Sequence, residues 1–203
     1  MKILAIDGHP AEGGFAGAML KRYGDAAAQG GADVTHIALR DVAFDPILHH
    51  GYHQRQDWEP DLRAVVEALV ACDHFVIGFP MWWGSQPALV KGFFDRVLLP
   101  SVAFKYRENG QSWDRLLAGR SADAIITADT PRLFLDLMYG APIVKQTRRQ
   151  VFDFCGFKPV RIRYVAPIRK QKPEQFNTWL GQAARMGATI KPSSKPKTMP
   201  DLS

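Results

Sequence analysis

The chain has 203 residues, 46% of them hydrophobic and 23% charged, with a net charge of +6. That length holds one well-buried domain and excludes two large ones, and the composition is that of a soluble globular protein. The longest apolar runs, around residues 65–72 and 75–83, are interrupted and too short to span a bilayer, so no membrane insertion is expected.

Residues 2–6 read as a first strand rather than a secretory signal. A helix follows over Phe15–Gln29, then a second strand over Asp33–Ala38. Residues 41–57 form a long irregular connection, rich in His and interrupted by Pro46 and Gly51. A helix is predicted over 59–72, where Leu62, Val65, Val66, Leu69 and Val70 keep an apolar stripe at three-to-four spacing. The third strand covers 74–78 and the third helix 87–98. Residues 100–113 make a turn-rich excursion, with a tight turn at Asn109-Gly110, before a fourth strand over 121–126. Residues 137–154 read as helical, the regular part beginning near Pro142 and Gly156 capping the end. The fifth strand is Val160–Val165, and the last helix covers 173–186, with Pro173 favourable in its first turn. Strands alternating with helices imply an α/β fold whose parallel sheet is covered on both faces. Residues 1–190 form the domain. Residues 191–203, with Pro192, Pro196 and Pro200, form a polar tail that is extended, disordered or packed on a partner subunit.

In such a sheet, ligands bind at the carboxyl ends of the strands. The loop after the first strand, 8–16, contains Gly8, His9, Gly13, Gly14, Phe15 and Ala16, and a helix N-terminus behind glycines is a natural phosphate site. The loop after the third strand holds Pro80, Met81, Trp82, Trp83 and Gly84, where two adjacent indoles make an apolar wall for a flat ring. The loop after the fourth strand is Thr127, Ala128, Asp129, Thr130 and Pro131.

From Pro80 to Val97 the sequence resembles the flavodoxin-like NAD(P)H:quinone oxidoreductase family, whose members carry Pro-x-x-Trp-x-x-x-Pro-Ala-x-Leu-Lys-Gly-x-x-(Asp/Glu)-Arg-Val at this point. Phe154, Cys155, Gly156 and Phe157 match a further family stretch, and the likeness covers roughly residues 2–167. The resemblance implies a three-layer flavodoxin-like sandwich with a five-stranded parallel sheet in the order 2-1-3-4-5. It also implies a cytoplasmic homodimer with the site at the subunit boundary. The implied chemistry is ping-pong transfer of two electrons from NAD(P)H, through a flavin, to a quinone-like acceptor. The cofactor-binding residues implied are His9, Gly14, Phe15, Ala16, Pro80, Met81, Trp82, Trp83, Gly84, Thr127, Asp129 and Thr130.

Gly14 and Ala16 stand where relatives carry serine and asparagine, so two side-chain bonds to a phosphate are missing, each worth about 1.5–3 kcal/mol. That loss weakens a terminal-phosphate pocket more than a pyrophosphate site, so between FAD and FMN the sequence leans slightly to FAD. Asp129 either accepts from the flavin N3–H or turns away to cap the next turn. Phe104 and Tyr106 match the apolar-aromatic excursion that borders the ring in relatives, and are the substrate-binding residues implied. Tyr139 either donates a phenolic proton to the acceptor or packs. Lys91, Asp95 and Arg96 are read as helix-packing or subunit-contact features.

No metal is expected at His49, His50 and His53, which lack a cysteine or spaced carboxylate. Cys72 and Cys155 read as reduced core thiols of a cytosolic protein. Basic residues at 145–149, 161–163, 169–172 and in the tail are scattered with no aromatic ladder, which points away from nucleic acid; their positive potential can steer anionic NADPH. Two other readings stay open: an ancillary regulatory subunit that binds flavin or nucleotide, and a one-electron flavodoxin-type carrier.

Overall fold

In a computed structural model of the chain, every residue except Asn109, Asp201 and Ser203 is described. The predicted tight turn at Asn109-Gly110 therefore lies partly outside the described residues. The main sheet contains β1 (Lys2–Asp7), β2 (Asp33–Ala38), β3 (His74–Pro80), β6 (Ser121–Thr127) and β7 (Val160–Val165), in the order β2-β1-β3-β6-β7 with every neighbour parallel. This is the expected 2-1-3-4-5 order. A short antiparallel hairpin, β4 (Phe104–Tyr106) with β5 (Trp113–Arg115), is inserted before β6.

Period-two alternation divides the core. On β1, Ile3 and Ala5 face the layer made by α1 (Phe15–Gln29) and α7 (Pro173–Ala188). Leu4 and Ile6 face the layer of α2 (Pro60–Ala71) and α3 (Ala88–Val97). The central strands β3 and β6 are buried along their whole length, as strands covered on both faces must be. At Gly78 an added Cβ would press on the Ala16 carbonyl, 3.1 Å away, so glycine lets α1 lie against β3.

Three segments depart from the sequence reading. The excursion at 100–113 includes paired strands rather than turns alone. Helical structure begins at Arg132, not 137: α4 (Arg132–Tyr139) ends at Gly140, whose φ of 68° reverses the chain. Beyond it, α5 (Pro142–Lys145), a π-helical stretch Gln146–Phe152 and α6 (Asp153–Cys155) run on to Gly156, which caps the end at φ 106°. The apolar residues of α4 misled the periodicity because Leu133, Phe134, Leu137 and Met138 face solvent.

The tail packs on its own chain. Lys197 pairs with Asp73 at 2.9 Å, and the Thr198 amide donates to the Ala118 carbonyl at 3.0 Å. Arg120, fully buried, donates to the carbonyls of Thr198 (2.9 Å), Ala118 (3.2 Å) and Val70. Burial pushes its guanidinium down from the usual arginine range. Gly119 (φ 86°) is required because any Cβ there would run into the backbone of Pro196 and Lys197. Truncation after Lys191 removes one of the carbonyls holding a buried cation, and such bonds contribute about 1.5–3 kcal/mol. At this chain length the melting midpoint is expected to fall by roughly 5 °C; an unchanged thermal unfolding curve would show the tail to be dispensable.

Candidate functional site

The carboxyl ends of β1, β3, β6 and β7 and the loops that leave them are tied together by backbone hydrogen bonds. Gly8 N–H donates to the Gly78 carbonyl at 2.7 Å, and Met81 N–H to the Thr127 carbonyl at 2.7 Å. Ala128 N–H donates to Val165 at 3.0 Å, and Ile168 N–H to Ala128 at 2.9 Å. Asp129 Oδ1 accepts from the Arg169 amide at 2.7 Å. Interlocked backbone of this kind holds a cleft in shape before any ligand arrives.

That cleft, about 310 Å³, is lined by His9 and Phe15 from the first loop, Pro80, Met81 and Trp82 from the second, and Thr127, Ala128 and Asp129 from the third. Ile168 and Arg169 of the β7–α7 loop complete it. The size is at the lower end for a small-molecule site. Behind the first loop, Asp7 accepts from the His9 amide (3.0 Å) and from Arg40 Nη1 (2.6 Å). The Asp7 bond holds the Arg40 guanidinium above its usual range despite the cost of burial.

Seven of the predicted cofactor residues, His9, Phe15, Pro80, Met81, Trp82, Thr127 and Asp129, come together here. The rest occupy the neighbouring turns. Gly14 is the N-cap of α1 and Ala16 is wholly buried under the helix start, so neither position offers a side chain to a ligand. A Cβ on Gly14 would run into the His9 ring, which folds over the loop with Nδ1 2.8 Å from the Ala11 carbonyl. Trp83 and Gly84 form the two central residues of a tight hairpin turn closed by Trp82 and Ser85. Both have positive φ, 52° and 76°, the signature of a type I′ turn. The turn corrects the expected double-indole wall: Trp82 borders the cleft, while Trp83 projects into solvent. Thr130 is likewise off the wall, its carbonyl accepting from Tyr164 at 2.7 Å.

The substrate residues do not share this cleft within one chain. Phe104 and Tyr106 line a second hollow, between α3 and the π-helical stretch, with Phe104 buried in the core. Tyr139 ends α4, exposed, with its ring against Phe134 at 5.6 Å. Asp129 follows neither sequence alternative in full: Oδ1 ties two loops together instead of capping a turn, and among the described residues Oδ2 has no partner. Arg96, fully buried, donates to Glu59 (3.0 Å) and to the carbonyls of Asp45 and Asp57, so it clamps the irregular 41–59 connection. Lys91 and Asp95 pair on the surface of α3. No group of His, Cys, Asp or Glu among the described residues is arranged to hold a metal. The sequence reading placed Ala128 in the third loop without assigning it to the site, and missed Ile168 and Arg169. Applying the strand-end rule to the fifth strand as well as the first, third and fourth would have found those two.

The donors present fit a flavin. The N-terminus of α1 carries no side-chain cap and no acidic residue in its own first turn, which suits a phosphate; the Asp7 carboxylate beside Gly17 is paired with Arg40 at 2.6 Å. Pro80, Met81 and Trp82 offer an apolar face, and Asp129 on the same cleft lining adds a carboxylate acceptor.

A family model described as flavodoxin-like fold matches residues 1–186. An uncharacterized NAD(P)H oxidoreductase of Haemophilus influenzae is 31% identical over 172 residues, covering 83% of this chain and 85% of its own. An FMN-dependent NADH:quinone oxidoreductase of Stenotrophomonas maltophilia is 32% identical over 139 residues, covering 64% and 66%. The crystal structure of Smu.1420 from Streptococcus mutans superposes with a TM-score of 0.81 at 28% identity, over 94% of this chain and 100% of that one.

Proposed function

From the premise that this chain belongs to the flavodoxin-like fold family, we propose that it is a flavin-dependent NAD(P)H oxidoreductase reducing quinones or similar acceptors. One observation carries the reading: the hydrogen-bonded carboxyl ends of four strands bring an uncapped helix N-terminus and a tryptophan wall to one cleft. A flavin bound there would supply the redox chemistry, two-electron transfer between NAD(P)H and the acceptor.

The chain's own part is to bind and orient. The first-turn amides of α1, opened by Gly14 and including those of Phe15 and Ala16, hold the phosphate end. Pro80, Met81 and Trp82 flank the ring, and Thr127, Asp129 and Thr130 belong to the loop along its polar edge. His9 closes the cleft against Trp82, their rings 6.0 Å apart. No side chain has to act as a nucleophile, because the reacting atoms are those of cofactor and substrates.

FMN replaces FAD as the cofactor we favour. The FMN dependence named for the Stenotrophomonas relative supports it, and so does the α1 N-terminus, whose first-turn amides suit a terminal phosphate. The apolar face of α4 supports a homodimer with the site at the boundary; only across such a boundary would Tyr139, Phe104 and Tyr106 meet an acceptor. Two buried free thiols support a cytoplasmic location; among the described residues no helix is long and apolar enough to cross a membrane.

The purified protein is expected to take up FMN, to become yellow, and to oxidise NADH or NADPH when a simple quinone is added. A protein that cannot be loaded with flavin overturns the reading in favour of a regulatory module. Flavin binding without NAD(P)H turnover points to a one-electron carrier.

A further inference from the structure

We propose that Arg169 is the cation that holds the flavin phosphate, doing the work of the side-chain donors that positions 14 and 16 lack. This rests on the flavin reading above. The β7–α7 loop is pinned at two successive residues, Ile168 N–H to the Ala128 carbonyl at 2.9 Å and Arg169 N–H to Asp129 Oδ1 at 2.7 Å. The Arg169 main chain is therefore fixed at the rim of the cleft. Arg169 is exposed and its guanidinium has no hydrogen bond or ion pair among the described residues; what sets it apart from other such arginines is its place on the cleft lining.

The location is specific. Arg169 lines the same cleft as His9 and Phe15, the residues flanking the start of α1. Phe15 in turn packs on Phe176 and Trp179 of α7, at 4.8 and 5.9 Å between ring centroids. This contact brings the helix that follows Arg169 beside the uncapped end of α1. An anion seated there meets the helix dipole and main-chain amides on one side and a five-donor guanidinium on the other, which suits a terminal phosphate. Asp129 thus positions the arginine through Oδ1 while its side chain lines the same cleft.

Riboflavin, which lacks the phosphate, separates this role from general support of the cleft. Wild type, Arg169→Gln and Arg169→Lys are titrated with FMN and with riboflavin at low and high salt, following flavin fluorescence. In Arg169→Gln the FMN dissociation constant is expected to rise about tenfold and to lose much of its salt dependence, as one charge-assisted bond at an exposed site predicts. Riboflavin affinity and the melting midpoint should stay as in wild type, and Arg169→Lys should fall between. Equal weakening of both flavins, or unchanged FMN affinity, overturns the proposal. Unchanged FMN affinity with a raised KM for NADPH but not NADH overturns it too, by placing the guanidinium on the co-substrate. A wild-type protein that binds neither flavin defeats the parent reading instead, and that result is read before any variant is compared.

Discussion

Asp123→Ala is expected to cost about 3–5 kcal/mol of stability, the range for breaking a buried ion pair by removing one partner. At this chain length that lowers the melting midpoint by roughly 10 °C. Asp123 lies within the central strand β6, fully buried, and its carboxylate accepts from Arg161 at 2.8 and 2.5 Å and from the Tyr23 hydroxyl at 2.6 Å. Tyr23 gives its only proton to Asp123, so at its 2.7 Å contact with His74 Nε2 it accepts; His74 Nδ1 then meets Ser121 Oγ at 2.7 Å. Arg161 also donates to the carbonyls of Met186 and Thr189, which closes the C-terminal end of α7. Removing the carboxylate therefore leaves a part-buried guanidinium without its counter-ion and a buried hydroxyl without its acceptor.

Asp123→Ala combined with Arg161→Met should recover much of the loss, because the stranded charge is gone. Should the single variant melt with wild type, the network contributes nothing net. The pH dependence has a definite sign. Burial alone raises the Asp123 carboxyl, but the nearby His74 ring, with Nε2 3.5 Å away, and the bonds from Arg161 and Tyr23 outweigh it and hold the carboxyl below the usual range. A depressed folded-state value means the contribution is complete above the unfolded value, near pH 4, and is lost as pH falls through the folded one. The wild-type advantage over the variant should therefore shrink only in acid, below about pH 4.

Trp82→Ala is expected to weaken flavin binding by about ten- to a hundredfold, since one aromatic face against a planar ring contributes about 1–3 kcal/mol. Trp83→Ala should change it less than about threefold, because that indole points away from the cleft. The contrast comes from the hairpin turn: with Trp83 at φ 52° and Gly84 at φ 76°, the chain reverses between the two indoles and only the first faces inward. Fluorescence titration of both variants with FMN checks it. Retained affinity in Trp82→Ala with loss in Trp83→Ala would mean that the wrong indole has been placed at the ring.

The elements and their order were legible in the sequence. Phe15–Gln29, Asp33–Ala38 and Val160–Val165 have the expected bounds because side-chain period, helix-stopping glycine and β-branched runs act over a few residues. The strand-end rule then located three of the loops. What the sequence left open depended on residues far apart along the chain: Asp129 holding the amide of Arg169, Tyr23 bonding Asp123 a hundred residues away, and Thr198 covering Arg120. Direction was hidden as well, since a turn of positive φ can set two neighbouring tryptophans to opposite sides without altering the composition around them. Local order follows from interactions between near neighbours, whereas the cleft is assembled by single hydrogen bonds between loops, and those exist only once the sheet has brought the loops together.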